Sequence, residues 1–157
     1  MKLADFESHH IEGIANMGGA HFKVPLFTHV RGNLYQGGCP KPSLPEEFKY
    51  VICLYPWEHY QRSKDVTYLE AYLYDSLDEP DSNQLHLLSD IAMHFIENGK
   101  TLIHCQAGLN RSGLLTVMVL RKMGMSSELA INMLREQRSK AVLCNQTFVD
   151  YLLGLDK

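Results

Sequence analysis

The chain has 157 residues, 45% hydrophobic and 21% charged, the balance of an ordinary folded domain with enough length for a real core. A formal net charge of −3 supplies no global basic field for nucleic acid or an anionic membrane, so an anionic substrate would have to be held by local chemistry. No basic-then-apolar leader opens the sequence and no apolar run approaches the roughly 18 residues of a membrane span, so we expect one domain over 1–157, cytoplasmic, without membrane contact.

Residues 1–30 carry His9-His10, Gly13 and Gly18-Gly19 with little periodicity. An irregular or shortly helical N-terminal extension is expected there, and the two histidines have no partner spacing for a metal. NLYQGG (33–38) predicts a short strand entering a glycine turn. CPKPSLPEEF is a proline-rich loop with a helical turn allowed at PEEF. YVICLYP (50–56) is apolar, β-branched and stopped by Pro56, the pattern of a buried strand. WEHYQRSK is a polar loop or short helix, and VTYLEAYLY (66–74) a further strand. DSLDEPDSN is a turn-rich loop full of carboxylates. Asp81 or Ser82 can cap a helix over QLHLLSDIAMHFIEN, ended by Asn98-Gly99.

KTLIHC predicts a short central strand. GLLTVMVLRKMG is apolar almost all round and predicts a buried helix ended by Gly124. SSELAINMLREQRS begins at a serine cap, and Asn145 can cap a last helix, QTFVDYLLG, ended by Gly154. Strands alternating with helices predict an α/β fold. Its central sheet should be mostly parallel, with four to five strands flanked by helices, and a loop should join a central strand to the buried helix.

That loop is HCQAGLNRSG (104–113). A strand running into Cys105 and a helix starting near Arg111 enclose a tight turn containing Gly108. Such a turn aims backbone N–H groups at one point, the arrangement that binds a phosphate-sized anion. Gln106, Ala107, Gly108, Leu109 and Asn110 would line it, with Arg111 adding a bidentate fork. The same positive field favours thiolate at Cys105 and makes it a nucleophile. Ser112 can donate to the sulfur, and His104 can fix the loop through its ring. A cysteine five residues before an arginine is weak by itself, since cysteine is usually a small buried hydrophobe. The histidine, glycine and serine in register, with a strand before and a helix after, make the pattern specific.

The other cysteines, Cys39, Cys53 and Cys144, form no C-x-x-C pair, which argues against a zinc site or a disulfide framework. Cys53 fits a core strand, with a redox partner for Cys105 as the alternative. Arg135 and Arg138 lie one turn apart on a polar helix side. Solvated surface is the first reading for them and a second phosphate contact the other. Trp57 and Tyr60 follow a strand and are expected to pack, with lining of the cleft as the alternative.

HCQAGLNRSG resembles the H-C-x-x-G-x-x-R-[ST] signature of cysteine-dependent protein tyrosine phosphatases, and roughly residues 30–153 resemble the small dual-specificity branch. NLYQGG and FKYVICL are similar to its first strands, and LREQRSKAVLCNQTFVDYLL to its closing R-x-x-R…N-x-x-F-x-x-x-L segment. The resemblance implies phosphomonoester hydrolysis through a phosphocysteine intermediate, without cofactor or metal. It also implies a phosphorylated protein substrate bearing phosphotyrosine, or phosphoserine and phosphothreonine as well. The family takes its general acid from an aspartate on the loop before the long helix. In YLYDSLDEPDSNQL that makes Asp75 the first choice, directly after the strand, and Asp78 the alternative. The RNA 5′-triphosphatases of the superfamily share Asn110 before the arginine, but Ala107 replaces their second histidine and the net charge disfavours nucleic acid. The uncharged Gln106, Ala107 and Leu109 argue against a polyanionic lipid. Intact Cys105, Arg111 and Ser112 argue against an inactive phosphate-binding module.

Overall fold

In the computed structural model, residues 24–157 are described with their side chains, and 8–11, 14–17 and 20–23 as backbone. Among the described residues there are eight strands and four helices. The strands β1 (Ser8–Ile11), β2 (Ile14–Met17) and β3 (Ala20–Lys23) form a small antiparallel sheet of their own. The main sheet contains β4 (Phe27–Arg31), β5 (Leu34–Gly37), β6 (Tyr50–Cys53), β7 (Thr67–Glu70) and β8 (Thr101–His104) in the order β4-β5-β8-β6-β7. The β4–β5 pairing is antiparallel and the other three are parallel, so the expected mostly parallel sheet is found. The helices are α1 (Ser82–Asn98), α2 (Arg111–Lys122), α3 (Ser127–Gln137) and α4 (Gln146–Gly154).

β8 lies between β5 and β6 and is buried along its whole length. It pairs in register with both, Gly37 and Cys53 each standing opposite His104. Three parallel strands therefore end at one edge of the sheet, and the segments that follow them, Gly38-Cys39, Leu54–Trp57 and the loop from Cys105, meet there. That edge, at the carboxyl ends of parallel strands, is where open α/β sheets place their ligands. α2 leaves the loop and is buried from Arg111 through Leu120, packed against α1, α3, α4 and β8. Each fully buried leucine or valine there contributes about 1.5–3 kcal/mol, which makes α2 a rigid base for whatever its first turn holds.

Capping follows the sequence expectation. The Asp81 carboxylate accepts from the Asn83 and Gln84 amides, Ser126 from Leu129, and Asn145 from Thr147 and Phe148. Three expectations are corrected. Residues 1–30 are mostly strand where they are described, rather than irregular or helical: 8–11, 14–17, 20–23 and 27–31 are strands and 24–26 a short connection. Runs of four or five residues are too short for alternation to register, and the available signal was Gly18-Gly19, a hairpin dipeptide. Residues 1–7, 12–13 and 18–19, Gly13 and Gly18-Gly19 among them, lie outside the described residues. β7 spans 67–70 rather than 66–74, since it is an edge strand whose one partner among the described residues, β6, is four residues long. Gly154 belongs to α4, with Leu155 as its cap. The PEEF segment is a simple turn, and 57–64 contains no helix.

Candidate active site

The loop between β8 and α2 has an ordered set of carbonyl contacts. The Cys105 carbonyl lies 3.0 Å from Nδ1 of His104. The Gln106 carbonyl accepts from the Cys39 amide at 2.9 Å. Arg138 donates to Ala107 through Nη2 at 3.5 Å and to Gly108 through Nε at 2.8 Å, and Gln36 Nε2 also reaches Gly108 at 3.2 Å. The Leu109 carbonyl accepts from Leu143 N–H at 3.1 Å, and Asn110 from Leu114 at 2.8 Å. Every carbonyl from 105 to 110 is thus tied to the surrounding scaffold. Among the described residues the amides of 106–109 donate to no backbone carbonyl. With the carbonyls turned outward, successive N–H groups turn inward, the geometry of an anion-binding nest.

Two local features let the chain take this shape. Gly108 has φ of +75°, and a Cβ there would collide with Arg138 Nη2 and come within 2.5 Å of the Gly37 carbonyl carbon. A side chain is excluded on both conformational and steric grounds. Asn110, the residue before α2, makes no side-chain cap, so its amide is used elsewhere.

Cys105 is 2% exposed, and its sulfur lies 3.4 Å from Ser112 Oγ. Arg111 is 6% exposed, its guanidinium carbon 4.6 Å from the centre of the Tyr55 ring and its Nε buried without a partner among the described residues. Tyr55 in turn packs on Trp57, which contacts the exposed rings of Tyr72 and Tyr74. Beneath the loop His104 is fully buried. A carbonyl can only accept, so Nδ1 donates to Cys105 and Nε2 faces the Tyr60 hydroxyl at 2.6 Å. Tyr60, expected to pack or to line the cleft, instead supports the loop histidine, and burial pushes its phenol far up from its ordinary range.

Asp75 follows β7 and is 4% exposed. Its Oδ2 accepts from Asn110 Nδ2 at 2.9 Å and its Oδ1 from Asn145 Nδ2 at 2.8 Å. Asn145 Oδ1 accepts from the Thr147 and Phe148 amides to cap α4, and its Nδ2 donates a second bond to the Ser76 carbonyl, so one side chain ties the Asp75 segment to the last helix. Asp78 is exposed, and its amide donates to Ser76 Oγ at 3.3 Å. The structure brings Asp75 against the loop through Asn110; Asp78 sits further out on the same turn. Gln106 turns its side chain to Glu58, at 2.8 Å, which is also paired with Lys41. Burial pushes Glu58 up, but those hydrogen bonds outweigh it and hold it below the usual carboxylate range.

The surface reading of Arg138 is corrected. It is 6% exposed, and among the described residues its side chain donates to the loop carbonyls and to Thr28 Oγ1, at 3.0 Å. Burial pulls its pKa down to about 10, with the Cys105 charge pulling the other way, so it remains charged at neutral pH. Arg135 binds the Val142 and Leu143 carbonyls, both at 3.0 Å, and so holds the segment that meets Leu109. Sequence periodicity placed both arginines on a polar face; it contained no sign that this face meets the loop. Removing Arg138 as Arg138→Met should take the Arg138 donor from the Ala107 carbonyl and one of two donors from Gly108, and cost about 2–3 kcal/mol. We expect a fall in Tm of roughly 5–10 °C by thermal melting, with weaker binding of vanadate.

The remaining thiols differ from Cys105 in setting. Burial pushes Cys39 up to about 12 and raises Cys53 and Cys144 as well. Cys144 is exposed as a residue, yet its sulfur lies 3.5 Å from the Asn110 amide, where desolvation acts on it. Cys53 is a fully buried strand residue, as the core reading expects. Among the described residues no group of three or more histidine, cysteine or acidic side chains could hold a metal ion, and no helix is long and apolar enough to cross a membrane.

A family model described as "Dual specificity phosphatase, catalytic domain" matches residues 34–157. Comparison with curated proteins gave no match. Among solved structures, human DUSP28 superposes with a TM-score of 0.73 at 17% identity, covering 82% of this chain and 94% of that one. A human tyrosine phosphatase-like serine/threonine/tyrosine-interacting protein gives 0.71 at 17%, covering 83% and 95%. Tk-PTP in its active form gives 0.69 at 24%, covering 84% and 97%. At these identities the likeness speaks for the fold.

Proposed function

From the premise that the chain belongs to the dual specificity phosphatase catalytic-domain family, we propose that it hydrolyses phosphomonoesters of proteins through a phosphocysteine at Cys105. The observation that carries the reading is the loop whose six carbonyls are held outward, leaving its amides and the buried Arg111 to converge on one anion.

In the first step the Cys105 thiolate forms a bond to phosphorus, and the bond from phosphorus to the leaving oxygen breaks. Asp75 supplies the proton that oxygen needs. The loop amides and the Arg111 fork hold the three non-bridging oxygens as charge moves across them. In the second step a water oxygen attacks phosphorus, Asp75 takes its proton, and the electron pair of the S–P bond returns to sulfur. The Ser112 hydroxyl, 3.4 Å away, stabilises the departing thiolate. Asn110 and Asn145 keep the Asp75 carboxylate beside the loop during both steps.

The loop's surroundings favour a singly phosphorylated substrate. Its variable side chains carry no cation, and the nearest charged neighbour of Gln106 is Glu58. We further propose that the catalytic unit spans the whole chain.

The test is turnover of an aryl phosphate under reducing conditions, followed by a panel of phosphotyrosine, phosphoserine and phosphothreonine peptides, phosphoinositides and 5′-triphosphorylated RNA. We expect phosphotyrosine peptides to be turned over best. No aryl phosphate turnover by the folded protein sinks the enzyme reading, and preference for RNA or lipid sinks the protein substrate.

A further inference from the structure

Gln36, on β5, is fully buried and stands 76 residues before the serine it touches. Its Nε2 donates to the Gly108 carbonyl and to Ser112 Oγ, each at 3.2 Å, and its Oε1 is buried with no partner among the described residues. The orientation of this amide is decided by Gly108. A carbonyl only accepts, so the group facing it is the NH2; the reversed amide would set two acceptor oxygens 3.2 Å apart.

That orientation constrains Ser112. A hydroxyl has one proton and two lone pairs. Gln36 can only donate to it, so it occupies a lone pair and leaves the proton unspent. Cys105 Sγ is a further side-chain neighbour of Ser112 Oγ, at 3.4 Å, and as a thiol it donates to the hydroxyl. Once the sulfur has lost its proton it can only accept, and the unspent hydroxyl proton is then available to it.

We propose that Gln36 is a positioning residue that fixes the polarity of the Ser112 hydroxyl, so that it donates to Cys105 Sγ as the phosphocysteine breaks down. The inference rests on the phosphocysteine reading above. In that step the water oxygen bonds to phosphorus, its proton goes to Asp75, and the S–P electron pair returns to a sulfur already facing an O–H donor. Inorganic phosphate leaves. Gln36 touches no reacting atom and acts only through Ser112.

The test combines Gln36→Met, which keeps the length of the side chain but cannot donate, with Gln36→Glu, which turns the donor into an acceptor. Each is made in the parent chain and in Ser112→Ala, and melting is recorded for all. Rapid-mixing kinetics on an aryl phosphate separate the burst of alcohol from steady turnover. In the parent chain Gln36→Met should lower kcat about tenfold, the worth of one hydrogen bond to a charged group, while kcat/KM and the burst rate stay within about twofold. Gln36→Glu should lower kcat at least as far as Ser112→Ala does, because the hydroxyl now donates to the carboxylate. In the Ser112→Ala chain Gln36→Met should have no further effect beyond about twofold. Equal losses in both backgrounds, or a fall in kcat/KM that matches the fall in kcat, overturn the proposal alone. The absence of a Cys105-dependent burst overturns the phosphocysteine reading and this proposal together. Should Gln36→Met fail to fold, Gln36→Glu is judged by the same comparison.

Discussion

Replacing Cys105 by serine should reduce aryl phosphate turnover by at least about four orders of magnitude, the scale on which loss of a covalent nucleophile is felt. Binding of a phosphopeptide should change little, because the groups proposed to hold the anion are the loop amides and Arg111, and serine leaves both in place. Arg111→Lys should separate the two contributions. Lysine reaches the anion as a point charge without the planar fork, and it gives up the stacking on Tyr55, where the guanidinium carbon lies 4.6 Å from the ring centre. We expect turnover to fall by roughly two to three orders of magnitude and phosphate affinity to fall with it. Steady-state kinetics and calorimetric titration of the two variants check the pair. Turnover by Cys105→Ser within a factor of about ten of wild type would remove the covalent mechanism.

Asp75→Asn is expected to lower kcat about a hundredfold at neutral pH, within the usual contribution of a positioned general acid. The loss should grow as the leaving alcohol becomes a poorer one, because a nitrophenolate needs little help and a serine alkoxide needs much. The substitution has a structural cost that must be measured beside the kinetics. Both carboxylate oxygens accept from amide donors, Asn110 at 2.9 Å and Asn145 at 2.8 Å, and an NH2 in place of one oxygen faces another NH2. Asp78→Asn is the control. It should turn over at nearly the wild-type rate, and a hundredfold loss there with Asp75→Asn unaffected would move the acid to Asp78.

The loop could be read from sequence because its chemistry is local. Cys105, Gly108, Arg111 and Ser112 lie within eight consecutive residues, and the strand before and buried helix after follow from short-range pattern. What holds the loop could not be read. Gln36, Arg138 and Leu143 reach it from positions far along the chain, and each looks unremarkable in its own segment: a glutamine in a strand, an arginine on a polar helix face, a leucine in a loop. Leu143 even adopts φ of +57°, which no feature of AVLCN announces; its N–H is needed by Leu109. Asn145 was legible as a cap and is one, but its second task at Asp75 depends on where the segment after β7 comes to rest. The main sheet was legible in β6 and β8, whose apolar residues are buried, and in β5, which enters a glycine turn. It was not legible in β4, where Phe27–Arg31 shows no clean alternation of buried and exposed residues.

The outward-tied carbonyls also make the loop a reporter of how the chain folds. Their partners extend from Gln36 to Leu143, so the ring of N–H groups cannot close until strands from the first third and the segment after α3 have docked. An oxyanion that binds this loop binds only the folded state, and its free energy is added to global unfolding rather than to a local opening. Vanadate at a hundred times its Kd should therefore add about 2.7 kcal/mol to the whole cooperative unit. Amide hydrogen exchange should slow in β5 and α3 as well as in the loop itself. A chain cut before Arg138 keeps every residue of HCQAGLNRSG and loses the shape that makes them a site.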